Sequence, residues 1–277
     1  MLRRFNVQNG LATNLLWYDL WNSSNGYIVK NIEGIEPVEA EINTTALAGI
    51  EGVTINSALR RSRNIVVTLG LQPTATKSIE DLRREAYADM MVGWPLLLIF
   101  EDMDGTIREA RGTVESNQAN RFSKDPEQVI SFICYDPDFI KRESDIYLVP
   151  YSELKSGWSH TYTGTSPTGV AVSAMLNSSI QSGSYFRISN RSHIGAKRLT
   201  INQDISITPG QNSLSINTAP GYRRIDLWTS SLIGSLSNNH EWGMLMPGPN
   251  TITLDFKGSI SDSEDVMVSY TKRWGEL

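Results

Sequence analysis

The segment from Arg63 to Phe139 has the most regular patterning in the chain and decides the fold. It opens with RNIVVTLGL at residues 63–71 and closes with VISFICYDPDF at residues 129–139. Both runs are rich in β-branched and aromatic residues, which favour the pleated, half-buried surface of a sheet. We therefore predict a strand at each end of the segment, the second covering residues 127–135.

A helix is predicted between these strands, over about residues 78–92. Ser78 is a good N-cap, and the acidic residues that follow it favour the positive end of a helix dipole. Gly93 can take the left-handed position after a helix, and Pro95 blocks its continuation. The apolar residues are spaced by three, four and four, which is typical of one helical face: Ile79, Leu82, Ala86 and Met90.

A β-hairpin follows the predicted helix. Residues 95–100 form a short apolar run, and residues 106–115 return as its partner strand. The dipeptide Asp104-Gly105 between them is expected to supply the positive φ values of a tight turn. The first part of the chain thus combines strands, one helix and a hairpin.

The composition changes beyond about residue 145, where serine, threonine, asparagine and glycine become common. Short predicted strands recur between turn signals, a spacing typical of an antiparallel β-sandwich. They cover residues 185–188, 198–201, 214–216, 224–228, 251–256 and 266–270. No helix-length pattern occurs among them. We therefore expect a mainly β protein with two domains, residues 1–144 and 145–277.

Charge and cysteine content exclude several classes of protein. The chain has 277 residues and a formal net charge of −5, whereas a nucleic-acid binder usually carries a basic domain and an anionic membrane attracts basic surfaces. The single cysteine, Cys134, lies in an apolar run, so we expect a buried thiol and no intrachain disulfide.

No signal-peptide pattern and no apolar run of the roughly 20 residues that span a bilayer is present, so membrane insertion is not expected.

Motifs for catalysis and metal binding are absent from the sequence. The three histidines, His160, His193 and His240, lack the short spacing of metal ligands. There is no nucleophile elbow, phosphate loop or dinucleotide fingerprint. The stretch DMDG at residues 102–105 resembles the start of a calcium loop but lacks its later ligands, and a hairpin turn explains it better. We expect no enzyme activity, no cofactor and no metal.

Tryptophans of the second half allow two interpretations. Trp158, Trp228 and Trp242 lie in or near predicted strand ends and loops. Aromatic rings there could stack on sugars, since a pyranose has apolar faces, but a two-sheet core also requires large residues. A carbohydrate-binding module is therefore an alternative function, and a glycan-cleaving enzyme is a weaker one because facing carboxylates cannot be recognised from sequence.

The ordered motifs of the first half resemble the distal tail protein (Dit) family of siphophages. The resemblance rests on the strand from Arg63, the helix, the Asp-Gly hairpin, the run RGTVES at residues 111–116, the turn FSK at 122–124, and the closing strand that ends in YDPDF. The final segments, TITLDF at 251–256 and SYTKRW at 269–274, also look like this family's closing strands.

This resemblance implies an assembly role. Family members have a β domain with one helix that forms a six-membered ring, and a peripheral galectin-like β-sandwich. The ring joins the tail tube to the tip hub and fibres, and DNA passes through its bore without being a ligand. We accordingly expect a tail-tip virion protein that is assembled in the host cytoplasm, with copies of itself, the tail tube protein, the hub protein and a receptor-binding protein or cell-wall glycan as partners.

Two groups of residues are candidates for the ring contacts. Exposed strand edges and hairpins are natural contact elements, which points to Asp102 and Asp104 at the predicted turn. The basic cluster Arg60, Arg61 and Arg63 could pair with acidic residues of a neighbouring subunit, or it could be a solvated loop. The acidic chain suits a bore through which DNA slides without being held.

Overall fold

The computed structural model describes residues 2–8, 17–19, 24–46, 49, 51–120, 123–175, 186–201, 213–236, 240–256 and 264–277. They form two compact units: unit 1 comprises residues 1–142 and 274–277, and unit 2 comprises residues 143–273. The predicted domains were residues 1–144 and 145–277, whereas residues 143–144 belong to unit 2 and the last four residues belong to unit 1. They belong to unit 1 because they pack against its core.

The described strands of unit 1 build one antiparallel sheet and a separate two-stranded hairpin, with one helix beside them. The sheet has the order β2-β1-β7-β8-β9-β6-β3, and β10 pairs with β8. The elements are β1 (Leu2–Gln8), β2 (Trp17–Asp19), β3 (Tyr27–Glu33), β4 (Ala40–Thr45), β5 (Thr54–Arg60), β6 (Arg63–Leu71), α1 (Ile79–Asp89), β7 (Pro95–Asp102), β8 (Ile107–Ala119), β9 (Glu127–Cys134) and β10 (Phe139–Lys141).

Helix α1 confirms the predicted helix. The Ser78 hydroxyl accepts a hydrogen bond from the Asp81 backbone N–H, and the Asp81 carboxylate accepts one from the Ser78 N–H, which completes a capping box. The predicted C-terminus is wrong, because the helix ends at Asp89 with Met90 as its C-cap. Gly93 has φ +85° but lies in the following turn, where its N–H donates to the Val114 carbonyl.

The hairpin β7–β8 has the predicted position and a slightly different turn. Gly105 has φ +83°, whereas Asp104 is not among the residues with positive φ. The Asp104 carboxylate accepts the Thr106 N–H at 2.9 Å, and the Asp102 carbonyl accepts the Gly105 N–H at 3.0 Å. These bonds describe a turn closed by one left-handed glycine.

The core of unit 1 lies on one face of the sheet. Alternate residues of β6, Ile65, Val67 and Leu69, are buried, as are Ile130 and Phe132 of β9. This alternation is the period of two that the sequence showed. Cys134 lies in the same core and is fully buried, which confirms its predicted packing role.

Burial governs the chemistry of Cys134. It raises the pKa of the thiol to about 12, so the thiol stays protonated, and therefore unreactive, throughout the neutral range. We predict that a thiol-specific reagent at pH 8 leaves the folded chain unmodified and labels one thiol per chain in denaturant. Absorbance of the released chromophore measures the difference. Rapid labelling of the folded chain would contradict the buried placement.

Unit 2 consists mainly of two antiparallel sheets that share one core. The larger described sheet has the order β11-β22-β14-β17-β18-β19 and the smaller one β12-β21-β15-β16. The elements are β11 (Asp145–Pro150), α2 (Tyr151–Ser156), β12 (Trp158–Tyr162), β13 (Thr168–Gly169), β14 (Ala171–Met175), β15 (Phe186–Ser192), β16 (Gly195–Ile201), β17 (Ser213–Asn217), β18 (Arg224–Leu227), β19 (Ser230–Ser231), a 3₁₀ turn (Ile233–Ser235), β20 (Met244–Leu245), β21 (Gly248–Phe256) and β22 (Asp265–Tyr270); β23 (Arg273–Trp274) crosses into unit 1.

The predicted β-sandwich is confirmed, with elements that the sequence did not reveal. Val268 and Ile216 from the larger sheet meet Leu254 and Ile188 from the smaller sheet in one cluster of buried residues. Strands β11 to β14 and the six-residue helix α2 were not predicted. Residue 185, the start of one predicted strand, lies outside the described residues.

Candidate functional site

The hairpin β4–β5 is the most exposed element of unit 1. Its two strands pair only with each other among the described residues. A two-stranded hairpin alone is at best marginally stable in water, so such an element usually packs against something. We call strands β4 and β5 together, residues 40–45 and 54–60, the arm. Every residue of β4 is exposed, and Ser57 alone is half-buried in β5.

One face of the arm, which we call its apolar face, carries Ile42 and Ile55, whereas the opposite face is mostly polar but also carries the exposed Leu59. The register pairs Ile42 with Ala58 and, across a bulge, Thr44 with Ile55, which places both isoleucines on the same face. Their exposed fractions are 56% and 63%. On the other face the Asn43 amide donates to the Ser57 hydroxyl at 3.0 Å, as cross-strand polar neighbours do. No hairpin was predicted at these residues, although alternation in AEINTT at residues 40–45 is a signal for it.

The predicted arginine cluster does not form a single surface. Arg60 ends the arm, and its guanidinium binds the buried Asp138 carboxylate through two hydrogen bonds, one of them at 2.9 Å. Arg61 is two-thirds exposed and has Glu41 of the arm at 3.5 Å. Both arginines therefore support the arm from inside the same chain. Arg61 alone has most of its side chain available to a partner.

Arg63 is a buried structural residue, which corrects its proposed role as a ring contact. Only 1% of it is exposed. Its Nε donates to the Pro137 carbonyl at 2.8 Å, its Nη1 to the carbonyls of Gly34 and Glu36 at 2.5 and 2.7 Å, and its Nη2 to the Gly275 carbonyl.

The aromatic ring of Phe139 and the backbone of Gly34 complete the Arg63 site. The guanidinium carbon of Arg63 lies 4.3 Å from the centroid of the Phe139 ring, within cation–π range. Gly34 has φ +78°, and a Cβ there would lie 1.8 Å from the Asn64 carbonyl oxygen. Glycine is therefore required for the Gly34 carbonyl to reach Arg63.

Substitution of Arg63 should destabilise unit 1. Lysine cannot reproduce the planar arrangement of the guanidinium donors, so Arg63→Lys leaves buried carbonyls without a hydrogen bond. Each unpaired carbonyl lowers the free energy of unfolding by about 1–3 kcal/mol. We predict faster hydrogen–deuterium exchange of the β6 and β9 amides in Arg63→Lys and little change in the matched surface variant Arg61→Lys. Equal exchange in the two variants would show that the carbonyl contacts contribute little.

The two aspartates at the β7–β8 hairpin also have partners within unit 1. The Asp102 carboxylate forms an ion pair with Arg108 at 3.1 Å and is mostly buried. The pKa of Asp104 is lowered because its carboxylate accepts the Thr106 N–H. Asp104 is exposed at the turn and remains a candidate contact, whereas Asp102 is engaged in holding the hairpin.

Trp158 belongs to an aromatic cluster in unit 2. Its ring stacks on His160 at 4.8 Å, and Tyr147 lies 5.4 Å from it. His160 Nε2 and the Tyr270 hydroxyl share a hydrogen bond of 2.8 Å. Burial raises the pKa of Tyr270 and lowers the pKa of His160. The cluster is partly buried and packs against the core, so Trp158 contributes to the sandwich interior.

The other two tryptophans lie at separate places in unit 2. Trp228 follows β18 with φ +54° and is 53% exposed. Trp242 is half-buried, with Arg223 over its ring at 5.7 Å and His240 edge-on at 6.0 Å. Within the described residues, no ring contact joins any two of the three tryptophans. They do not form one stacking platform, and Trp228 alone presents a largely open ring.

His160 should make the stability of unit 2 depend on pH. Its folded-state pKa is lowered, so the folded chain binds fewer protons than the unfolded chain below pH about 6.5. The free energy of unfolding should therefore decrease as pH falls from 7 to 5, by at most about 1.4 kcal/mol per pH unit. Urea unfolding of His160→Gln should show a shallower decrease, and the exposed His193→Gln should match the wild type. A wild-type slope in His160→Gln would contradict this assignment.

The described part of the chain holds no group of three or more His, Cys, Asp or Glu side chains that could share a metal ion. None of its helices is long and apolar enough to cross a membrane.

Comparisons with known proteins show a structural likeness. No family model and no curated protein matches the chain. The crystal structure of the Dit protein of phage SPP1, described as a paradigm of the hub adsorption apparatus in phages that infect Gram-positive bacteria, aligns with a TM-score of 0.64. The alignment covers 97% of this chain and 98% of that one at 16% identity. The chain has the fold of SPP1 Dit.

Baseplate structures of phage P2 are more distant. Two structures of that baseplate in its activated conformation, one with calcium and one with strontium, align with TM-scores of 0.47 at 10% identity over the full length of both chains. The Dit-like fold agrees with the family resemblance that the motifs of residues 63–139 indicated.

Proposed function

We propose that this chain is a non-catalytic structural protein of a phage tail tip. The proposal rests on the fold of SPP1 Dit, which is described as part of a hub adsorption apparatus, and on the motifs that resemble the same family. In this role the protein acts through the surfaces it offers to other subunits. Its place is the virion tail, after assembly in the host cytoplasm.

The apolar face of the arm is the observation that carries the assembly proposal. Ile42 and Ile55 are more than half exposed on a hairpin that pairs with no other described strand. Burying one such side chain contributes about 1.5–3 kcal/mol, so covering both is a substantial driving force for association. The occupant we propose is a second copy of unit 1, which receives the arm in a head-to-tail contact.

Head-to-tail contacts close into a ring when the rotation that relates neighbouring subunits, repeated a whole number of times, adds up to 360°. The resemblance implies six subunits, and we propose that number. The ring would join the tail tube protein to the hub protein, with the receptor-binding protein beyond. DNA would pass through the bore without binding, in keeping with a chain of net charge −5.

Carbohydrate binding by unit 2 is the second candidate function. Trp228 favours it, since its indole is largely exposed at the end of β18 while its backbone N–H donates to the Ser213 carbonyl at 2.7 Å. An open aromatic ring suits stacking on the apolar face of a sugar. This function is compatible with a ring built by unit 1.

Charging the arm should prevent assembly without unfolding the chain. We predict that the double variant Ile42→Lys/Ile55→Lys stays monomeric in light scattering at concentrations where the wild type gains mass. It should also enter phage tails at least ten-fold less efficiently in a complementation assay, because two lysines cannot be buried in an apolar contact.

The control for this experiment is Thr54→Lys, which adds a charge to the polar face of the same arm. It should assemble like the wild type. If the double variant enters tails as efficiently as Thr54→Lys, the apolar face is not the contact and the assembly proposal fails. The complementation assay remains informative if the purified protein is monomeric and assembles only on other tail proteins.

A further inference from the structure

A polar groove runs across the smaller sheet of unit 2, on the face that points away from the core. Its volume is about 480 Å³, within the roughly 300–1,000 Å³ usual for small-ligand sites. Its lining comes from β15, β16, β21 and the segment before β20: Ser189, Arg191, Ala196, Arg198, Glu241, Thr251 and Thr253.

Strand alternation explains why these residues share the groove. Ile188 of β15 and Leu199 of β16 point into the sandwich core, so their neighbours in sequence point outward. The same holds for β21, where Ile252 and Leu254 are buried. Buried apolar residues therefore lie beneath the groove, and most of the residues that line it are polar or charged.

Two arginines lie side by side in the groove. Arg191 is directly opposite Ala196, and Arg198 is two residues further along the partner strand. Diagonal neighbours of this kind have Cβ atoms roughly 7–8 Å apart. Within the described part of unit 2, neither guanidinium has an ion-pair partner, whereas Arg187 on the same strand lies 3.8 Å from Asp255. Two adjacent unneutralised cations favour an anionic group between them.

The rest of the lining offers hydrogen bonds of the kind that sugar hydroxyls use. The hydroxyls of Ser189 and Thr253 are hydrogen-bonded to each other across β15 and β21, and Thr251 lies next along the same strand. The Glu241 N–H donates to the Arg198 carbonyl at 2.8 Å, which fixes this acidic residue beside the groove. A carboxylate there disfavours a densely charged polyanion and accepts bonds from neutral hydroxyls.

We propose that this groove binds an acidic oligosaccharide whose sugars carry single carboxylates. The sugar carboxylate lies between Arg191 and Arg198, and the sugar hydroxyls face Thr251, Thr253 and Glu241. The groove crosses three strands, a width of roughly 10 Å, which suits one oligosaccharide chain. The inference rests on the carbohydrate-binding candidate for unit 2, names its ligand class and places its site in this groove; it does not depend on ring assembly.

Calorimetry of the full chain with a short oligogalacturonate tests the proposal. We expect saturable binding that weakens as salt is added, because charge-assisted bonds to exposed arginines are screened. Arg191→Gln and Arg198→Gln should each weaken binding by about ten-fold, the loss expected for one charge-assisted contact. A neutral malto-oligosaccharide of equal length and inorganic phosphate should bind at least ten-fold more weakly.

Two control variants separate this site from other parts of the chain. Arg224→Gln removes an exposed arginine of the larger sheet, and Trp228→Ala removes the open indole. Arg224→Gln should bind oligogalacturonate like the wild type, whereas loss of binding in Trp228→Ala would place the sugar at that indole instead of in the groove. The groove assignment fails if oligogalacturonate does not bind, if both groove variants keep wild-type affinity, or if Trp228→Ala removes the binding instead. Ile42→Lys/Ile55→Lys should retain sugar binding, so failure of the ring proposal is distinguishable.

Discussion

The fold of unit 1 depends on one buried cation, the guanidinium of Arg63. Arginine is seldom fully buried because its charge is costly to remove from water. Here four backbone carbonyls replace the water, and the Phe139 ring covers one face. The acceptors lie in three distant parts of the chain: the turn after β3, the turn before β10, and the last residues. One side chain thus ties these three segments to the start of strand β6.

This site also positions the arm. The arm ends at Arg60, three residues before Arg63, and Arg60 binds the buried carboxylate of Asp138 next to Pro137. The same turn therefore holds Arg63 through a carbonyl and Arg60 through a carboxylate. This anchors the base of a hairpin that is otherwise exposed. The segment 60–63, predicted as one basic contact cluster, therefore holds a buried arginine, an arginine that anchors the arm and one exposed arginine.

The two units expose different chemistry. Unit 1 offers an apolar strip on a narrow arm, which suits a permanent protein contact because its burial is favourable without precise charge pairing. Unit 2 offers a polar groove with two unpaired arginines on the outside of a sandwich whose core is complete. Such a surface suits a hydrophilic ligand that binds reversibly. This division permits a chain to be fixed in a particle by one unit while the other contacts the surroundings.

The sequence by itself determined the mainly β class, helix α1, the β7–β8 hairpin and the burial of Cys134, because these follow from local periodicity, capping and turn chemistry. It also contained the ordered motifs from which the Dit-like fold was inferred. Tertiary structure alone decided that Arg63 is buried while Arg61 is exposed. The two arginines are equivalent in the sequence, but only Arg63 lies where backbone carbonyls from distant segments converge. Likewise, Arg191 and Arg198 become neighbours only through strand register, which no local pattern encodes.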